Sequence, residues 1–304
     1  MKTTTAFIAI VGKPNVGKSS LMNRMLGTKV AIVSSKPQTT RTRIIGVLTE
    51  GERQLVFIDT PGLLKPFNKL GESMVRAVDE SVGDVDACAL VIDASDMHDD
   101  LSPAPAELDL IGRFKKQKLP VVLVINKIDL IREREKLLAV ISAYSALYDF
   151  AAVVPVSAKS GDGIDALKSE LGKFAQESVH FFSDDALTDQ SERTMAAEMI
   201  REKLLRSLDK EVPHGIAVGI EKFSDRKSAS GEDIIDIEAI IYCESDSHKG
   251  IIIGKGGAML KSVSTRARLD MERFFGCKVN LRCWVKTKED WRNRQGLIHN
   301  FGLD

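Results

Sequence analysis

The sequence predicts a doubly wound α/β domain over residues 1–176, a linker at 177–192, and a smaller α+β domain over 193–304 ending in a basic tail. Three observations carry this. Short apolar runs alternate with amphipathic stretches up to about residue 175. A polar, acidic segment, QESVHFFSDDALTDQSE, then interrupts the pattern. Beyond it the order becomes α-β-β-α-α-β.

The apolar runs are Phe7–Val11, Leu55–Ile58, Cys88–Ile92, Val121–Ile125 and Val153–Val156. Several are rich in Val and Ile and apolar throughout, as strands buried on both faces of a parallel sheet must be. Helical stretches at 18–26, 104–118 and 133–147 separate them. Strand–helix alternation builds a doubly wound sheet, which places chemistry in the loops at the carboxyl ends of its strands. After residue 193 a helix runs to about Lys210, followed by strands near 215–223 and 233–242. The second of these sets Ile235, Ile237, Ala239 and Ile241 on one face. A short helix ends at GKGG, and a longer one over 258–275 aligns Leu260, Val263, Ala267, Met271 and Phe274. The last strand, 278–286, turns Val279, Leu281, Cys283 and Val285 inward and Lys278, Asn280, Arg282 and Lys286 outward.

The composition is that of a globular protein, 43% hydrophobic and 28% charged with a net charge of zero. The charge is unevenly placed: net −8 over residues 182–248 and net +7 over 249–304. A basic block of this kind points to an anionic partner or to a solvated basic surface. The four cysteines form no CxxC pair, no His has metal-ligand spacing, and a reducing compartment is expected. The N-terminal apolar run is too short for a signal peptide and no stretch reaches the roughly 18 residues of a membrane span, so a cytoplasmic protein is expected.

GKPNVGKS at 12–19 fits GxxxxGK[ST] between a strand and a helix. Exposed backbone N–H groups and a helix N-terminus favour a phosphate there. Gly12, Lys13, Pro14, Asn15, Val16, Gly17, Lys18, Ser19 and Ser20 are expected to wrap the nucleotide, with Lys18 reaching the β- and γ-phosphates and the Ser19 hydroxyl on Mg²⁺. NKID at 126–129 follows a buried strand. Asp129 can accept hydrogen bonds from guanine N1–H and its exocyclic amine, which adenine does not offer, so GTP and GDP are the expected ligands. Asn126 and Lys127 would brace the base and the loop, and SAK (Ser157, Ala158, Lys159) adds a backbone N–H for the guanine carbonyl. DTPG supplies Asp59, Thr60, Pro61 and Gly62. Asp59 would hold Mg²⁺ through water and the Gly62 N–H would touch the γ-phosphate. SSKPQTTRTR at 34–43 reads as the first switch, ordered by γ-phosphate and Mg²⁺. Thr40 is taken as its Mg²⁺ ligand, with Thr39 and Thr42 as rivals. Lys18, Thr40 and Gly62 are thus the groups expected to act on the γ-phosphate. Leu63 occupies the slot where switch GTPases of the Ras kind carry a water-orienting Gln, so slow hydrolysis is expected.

In the second domain, Gly254, Lys255, Gly256 and Gly257 form a GxxG loop between two helices. Such a loop lets a nucleic-acid backbone approach, while the adjoining groove of a KH domain holds about four single-stranded nucleotides. Lys255, Lys261, Arg266 and Arg268 would meet phosphates. Aromatics are few, so backbone clamping is expected to outweigh stacking. The helix order is that of the prokaryotic, type II KH fold.

GKPNVGKSSLMN, PQTTRTR, DTPG, NKID, SAK and the GKGG loop in one chain resemble the Era-like family of bacterial ribosome-assembly GTPases, and the resemblance spans essentially the whole chain. It implies Mg²⁺-dependent GTP hydrolysis by a P-loop GTPase domain, binding of the KH domain near the 3′ end of small-subunit ribosomal RNA, and a role in assembling the small ribosomal subunit, by a monomer. In several GTPases with a similar GxPNxGKS loop the Asn helps bind potassium, which makes K⁺ a candidate second cation at Asn15; the alternative is an Asn that only stabilises the turn. Some family members associate peripherally with the inner face of the cell membrane, although no anchor is read here. The rival readings are a metabolic nucleotide-dependent phosphotransferase, opposed by NKID, and an RNA-binding module in which nucleotide is only a structural ligand.

Overall fold

The computed structural model describes residues 2–62, 66, 68–96 and 103–303. The chain divides into two compact units. The first is built from Met1–Ala31, Thr40–Pro66 and Met74–Asp189. The second joins Ile32–Thr39 and Phe67–Ser73 to Gln190–Asp304.

The first unit runs β1 (Thr4–Val11), α1 (Lys18–Leu26), β2 (Ile44–Glu50), β3 (Arg53–Asp59), α2 (Lys69–Gly83, completed in this unit), β4 (Ala87–Asp93), α3 (Pro105–Gln117), β5 (Val121–Asn126), α4 (Arg134–Ser145), β6 (Ala152–Pro155), α5 (Ile164–Gly172) and β7 (Gln176–Glu177). The strands lie in the order β2-β3-β1-β4-β5-β6, all parallel except β2. Every residue of β4 and β5 is buried, which is why both read as unbroken apolar runs. One face of the sheet packs on Leu21, Met22, Leu167 and Leu171, the other on Leu110, Phe114, Val140 and Tyr144. The edge strand β2 and helices α2 and α5 are additions to the elements read from sequence.

The segment expected as a linker is strapped to this unit as far as Asp189. β7 pairs antiparallel with Thr4 and Thr5, and Ser178 N–H donates to the Thr3 carbonyl at 3.1 Å. The fully buried Gln54 accepts from the N–H groups of Phe181 and Phe182 and donates to the Phe182 carbonyl. Farther along, Val47 N–H donates to Leu187 and the Thr188 hydroxyl to Ile45. Backbone pairing needs no apolar side chains, so an acidic, polar strap reads as a linker.

The second unit contains α6 (Glu192–Ser207), β8 (Ala217–Lys227), β9 (Asp233–Cys243), α7 (Asp246–Ile253), α8 (Ala258–Phe275), β10 (Lys278–Thr287) and α9 (Gln295–Asn300). Ser191 caps α6 by accepting from Thr194 N–H. The sheet order is β10-β9-β8, with β9 parallel to β10 and antiparallel to β8. Ile235, Ile237, Ala239 and Ile241 are buried as the alternation requires, against Val263, Ala267 and Met271 of α8 and Met199, Ile200 and Leu204 of α6. The basic C-terminal residues form more than a tail. Trp291 is fully buried with its indole N–H donating to Gly215 O at 2.9 Å, and Arg292 makes a two-pronged contact with Glu244 at 2.9 and 2.5 Å.

Candidate functional site

The phosphate loop joins the buried strand β1 to α1. Gly17 has φ 100, a left-handed conformation that suits glycine. A Cβ there would also collide with the Asn126 amide. Lys18 Nζ donates to the loop's own carbonyls, Gly12 O at 3.0 Å and Lys13 O at 2.9 Å. Burial lowers its pKa to about 8, partly offset by the charge of Asp59. The loop thus holds a buried ammonium in a ring of backbone groups, a cradle for an anion.

Ser19, Thr40 and Asp59 converge beside it. The Ser19 hydroxyl donates to Asp59 Oδ2 at 2.5 Å and lies 3.0 Å from the Thr40 hydroxyl. Burial pushes the Asp59 carboxyl up to about 6, against the opposing pull of Lys18 and the Ser19 hydrogen bond. Asp59 Oδ1 is buried without a hydrogen-bond partner. Such an atom is costly unless something occupies it, and two hydroxyls with a carboxylate are the hard oxygen set that Mg²⁺ takes. The residues fit that ion. Of the three threonines in the switch, Thr40 is the one whose hydroxyl meets Ser19. Thr39 instead bonds Ser34 at 2.9 Å and Lys36 O at 2.6 Å. Thr60 anchors the next strand end by donating to Ile10 O at 2.9 Å. Gly62 follows Pro61, and a Cβ on Gly62 would stand 2.7 Å from the Pro14 backbone, so the two loops touch only because that position lacks a side chain. Leu63 lies outside the described residues.

At the end of β5, Asn126 is a two-sided brace. Its amide donates to Val16 O at 2.8 Å and its Oδ1 accepts from Ala158 N–H at 3.0 Å. Asp129 accepts from the Ser157 hydroxyl at 2.7 Å, with Lys159 Nζ at 4.0 Å. Gly17, Ser20, Asn126, Lys127, Asp129, Leu130, Ala158 and Lys159 line a cavity of about 410 Å³. A residue missed by sequence reasoning braces one of its lining residues: Asp93, at the end of β4, accepts from Lys127 Nζ at 2.5 Å and is itself held by Ser95. A lone carboxylate after a strand carries no pattern; its place at a strand's carboxyl end was the available signal.

In the second unit, Gly254, Lys255, Gly256 and Gly257 join α7 to α8. Lys255 and Gly256 are exposed, and Ile251 beside them is 51% exposed although Ile252 is fully buried. Lys261 is exposed one turn into α8. Arg266 is exposed, and its guanidinium donates to the Ser207 hydroxyl at 2.6 Å, at the end of α6. Arg268 pairs with Glu272 at 2.6 Å.

The same unit binds the first half of the switch. Three consecutive charged residues of α6, Arg201, Glu202 and Lys203, are buried. Glu202 accepts from Val33 N–H at 3.0 Å, Arg206 donates to Val33 O at 2.7 Å, and Arg201 donates to Thr39 O. Lys203 bridges Glu202, at 3.0 Å, to Asp270 on α8. Breaking such a buried pair by deleting one member is strongly destabilising, about 3–5 kcal/mol. Arg201 also pairs with Glu198, so α6 holds Thr39 through one ion pair and Val33 through another, the second running on through Lys203 to Asp270 of α8.

A phosphate loop, a magnesium-fitting oxygen trio and a cavity lined by Asn126 and Asp129 on a doubly wound sheet, followed in the chain by a GxxG-bearing α+β unit, define a P-loop GTPase joined to a KH domain. Residues 7–127 match the protein family described as 50S ribosome-binding GTPase, and residues 211–292 match the KH domain family. The chain is 47% identical over 302 residues to the GTPase Era of Ruminiclostridium cellulolyticum, covering 99% of this chain and 98% of that one. It is 46% identical to the GTPase Era of Clostridioides difficile, with the same coverage. Among solved structures it is similar to Era in complex with MgGDPNP and nucleotides 1506–1542 of 16S ribosomal RNA, at 37% identity and a TM-score of 0.92 over 99% of both chains. It is equally similar, at 37% identity and TM-score 0.92, to an Aquifex aeolicus Era variant bound to GDP and AlF4⁻, over 100% of this chain and 99% of that one. The chain belongs to the Era family of GTPases. No described helix is long and apolar enough to cross a membrane.

Proposed function

We propose that this GTPase is a slow, cation-assisted switch whose KH domain binds the 3′ end of small-subunit ribosomal RNA during assembly of that subunit in the cytoplasm. The observation that carries the switch reading is the convergence of Ser19, Thr40 and Asp59 beside Lys18. Lys18 would reach the phosphate oxygens of GTP and neutralise charge developing on the β–γ bridge. Ser19 and Thr40 would hold Mg²⁺ directly and Asp59 through water; bound there, the ion screens the phosphates and offsets the charge of the buried carboxylate. Thr40 orders the switch only while the γ-phosphate is present, and the Gly62 N–H reports the same group. Asp129 selects guanine, Asn126 joins the base site to the phosphate loop, and Asp93 holds Lys127 along the cavity wall. One solved Era relative carries ribosomal RNA, and the exposed Lys255–Gly256 pair is the contact proposed for an RNA backbone here.

With Leu63 in the water-orienting slot, no side-chain amide follows Gly62 to aim the nucleophile. Potassium at Asn15, whose φ of 64 belongs to a left-handed turn in the loop, is the proposed substitute. Single-turnover GTP hydrolysis should run slowly in Na⁺ and several-fold faster in K⁺, with Asn15→Ala erasing the difference. Equal rates in the two salts remove potassium from the reaction. Absence of turnover in both, with and without ribosomal RNA, would leave nucleotide as a structural ligand and sink the switch reading.

A further inference from the structure

The GKPNVGKSSLMN motif ends on Asn23, the sixth of the nine residues of α1 and outside the phosphate loop. Asparagine is a weaker helix former than alanine or leucine, because its amide competes for backbone groups. Here the amide does compete, and for a different stretch of chain. Asn23 Oδ1 accepts from the N–H groups of Val30 and Ala31, both at 2.9 Å, and its Nδ2 donates to Ala31 O at 2.8 Å. Residues 29–34 form neither helix nor strand, yet Val30, Ala31 and Ile32 are buried. Buried irregular backbone has to find hydrogen-bond partners, and aliphatic side chains offer none. Aspartate would serve the two N–H groups but turn a carboxylate on the Ala31 carbonyl. An amide of this length serves all three.

Ala31 is the last residue of the first unit before the switch segment. Ile32–Thr39 belongs to the second unit, where Glu202, Arg206 and Arg201 hold it, and the first unit resumes at Thr40. The two residues that flank the segment both rest on α1: Ala31 on Asn23, and Thr40 on Ser19 at 3.0 Å. Ser19 and Asn23 are four residues apart in that helix, so they share one of its faces. The two attachments differ in kind. At the Thr40 end two hydroxyls meet in the magnesium-fitting site, a contact remade as the ion and the γ-phosphate come and go. At the Asn23 end an amide holds backbone and involves no group of the nucleotide site. A loop fixed at one end has fewer conformations to lose when its other end docks.

We infer that Asn23 is a positioning residue for the GTP state: it fixes the root of the switch segment in both nucleotide states, so that only the Thr40 end is released and recaptured. The inference rests on the switch reading above. Asn23→Ala should weaken binding of a non-hydrolysable GTP analogue with Mg²⁺ by about 5–30-fold, the worth of one or two net hydrogen bonds, and binding of GDP by less than about twofold. The Mg²⁺ concentration that half-saturates analogue binding should rise in this variant while that for GDP stays the same, since Thr40 is called on only with the γ-phosphate present. Residue-resolved hydrogen exchange on the wild-type protein tests the same point without a substitution. The Val30 and Ala31 amides should be protected with GDP and with the analogue alike, whereas amides within 34–39 should gain protection only with the analogue. Equal weakening of GDP and analogue in Asn23→Ala overturns the inference, because Asn23 would then only hold the fold together. Unchanged analogue affinity overturns it too, as does fast exchange of the Val30 and Ala31 amides in the GDP state. Equal protection of 34–39 in the two states, with the same Mg²⁺ dependence for GDP and analogue in the wild type, would instead strike the switch reading and the inference with it.

Discussion

Asp129→Asn is expected to lower GTP affinity by roughly 10²–10⁴-fold and to raise that for XTP. In the base site proposed above the carboxylate would accept two hydrogen bonds from guanine, and bonds to a charged group contribute about 1.5–3 kcal/mol each. An amide can accept one of them and donates where the guanine amine would need an acceptor. Xanthine carries a carbonyl at that position, so the same amide donates to it. The Ser157 hydroxyl, 2.7 Å from Asp129 Oδ1, can keep its bond to the amide oxygen, so the cavity should survive the exchange. Equilibrium binding of fluorescent GTP and XTP analogues reads the outcome. Unchanged GTP affinity without a gain for XTP would take Asp129 out of the base site.

Lys255→Asp combined with Gly256→Asp should weaken RNA binding by at least about 10²-fold while leaving nucleotide affinity in the absence of RNA as it was. Removing one cation forfeits a charge-assisted contact, and two carboxylates facing phosphate add repulsion. Both positions are exposed. A Cβ on Gly256 would meet nothing within 4 Å, and its φ of 59 is one that aspartate tolerates better than most residues, so the loop should keep its shape. RNA titrations at fixed salt, beside melting curves, check the result. RNA binding of wild-type strength would show that RNA is held elsewhere.

What could be read from the sequence follows from which interactions are local. β4 and β5 are buried on both faces, so their composition alone reveals them. The phosphate loop is legible because backbone contact with phosphate demands glycine at fixed offsets. The choice among Thr39, Thr40 and Thr42 was not legible, since it depends on which hydroxyl the fold carries to Ser19. Asp93 escaped because its meaning lies in Lys127, 34 residues away. That Arg266 also meets the Ser207 hydroxyl at the end of α6 was not legible, since the two lie 59 residues apart. The strap at 177–189 was hidden by its polarity, and the three buried charges of α6 by the rule that charges lie outside.

The buried charges matter because they hold Val33 and Thr39, in the expected switch segment, on the same helix that pairs with Asp270 of α8. Arg201 and Glu202 hold Val33 and Thr39, Lys203 passes to Asp270 on α8, and Thr40, next in sequence after Thr39, meets Ser19. A γ-phosphate that orders Thr40 therefore biases the segment the second unit grips, and linkage requires RNA to act back on GTP by the same factor. The decisive measurement is a titration of the 3′-terminal small-subunit RNA fragment against protein loaded with GDP or with a non-hydrolysable GTP analogue, at fixed salt. The affinities should differ by about 5–150-fold, tighter with the analogue, and Glu202→Gln should bring the two together. Equal RNA affinities in the two nucleotide states of the wild-type protein would contradict it.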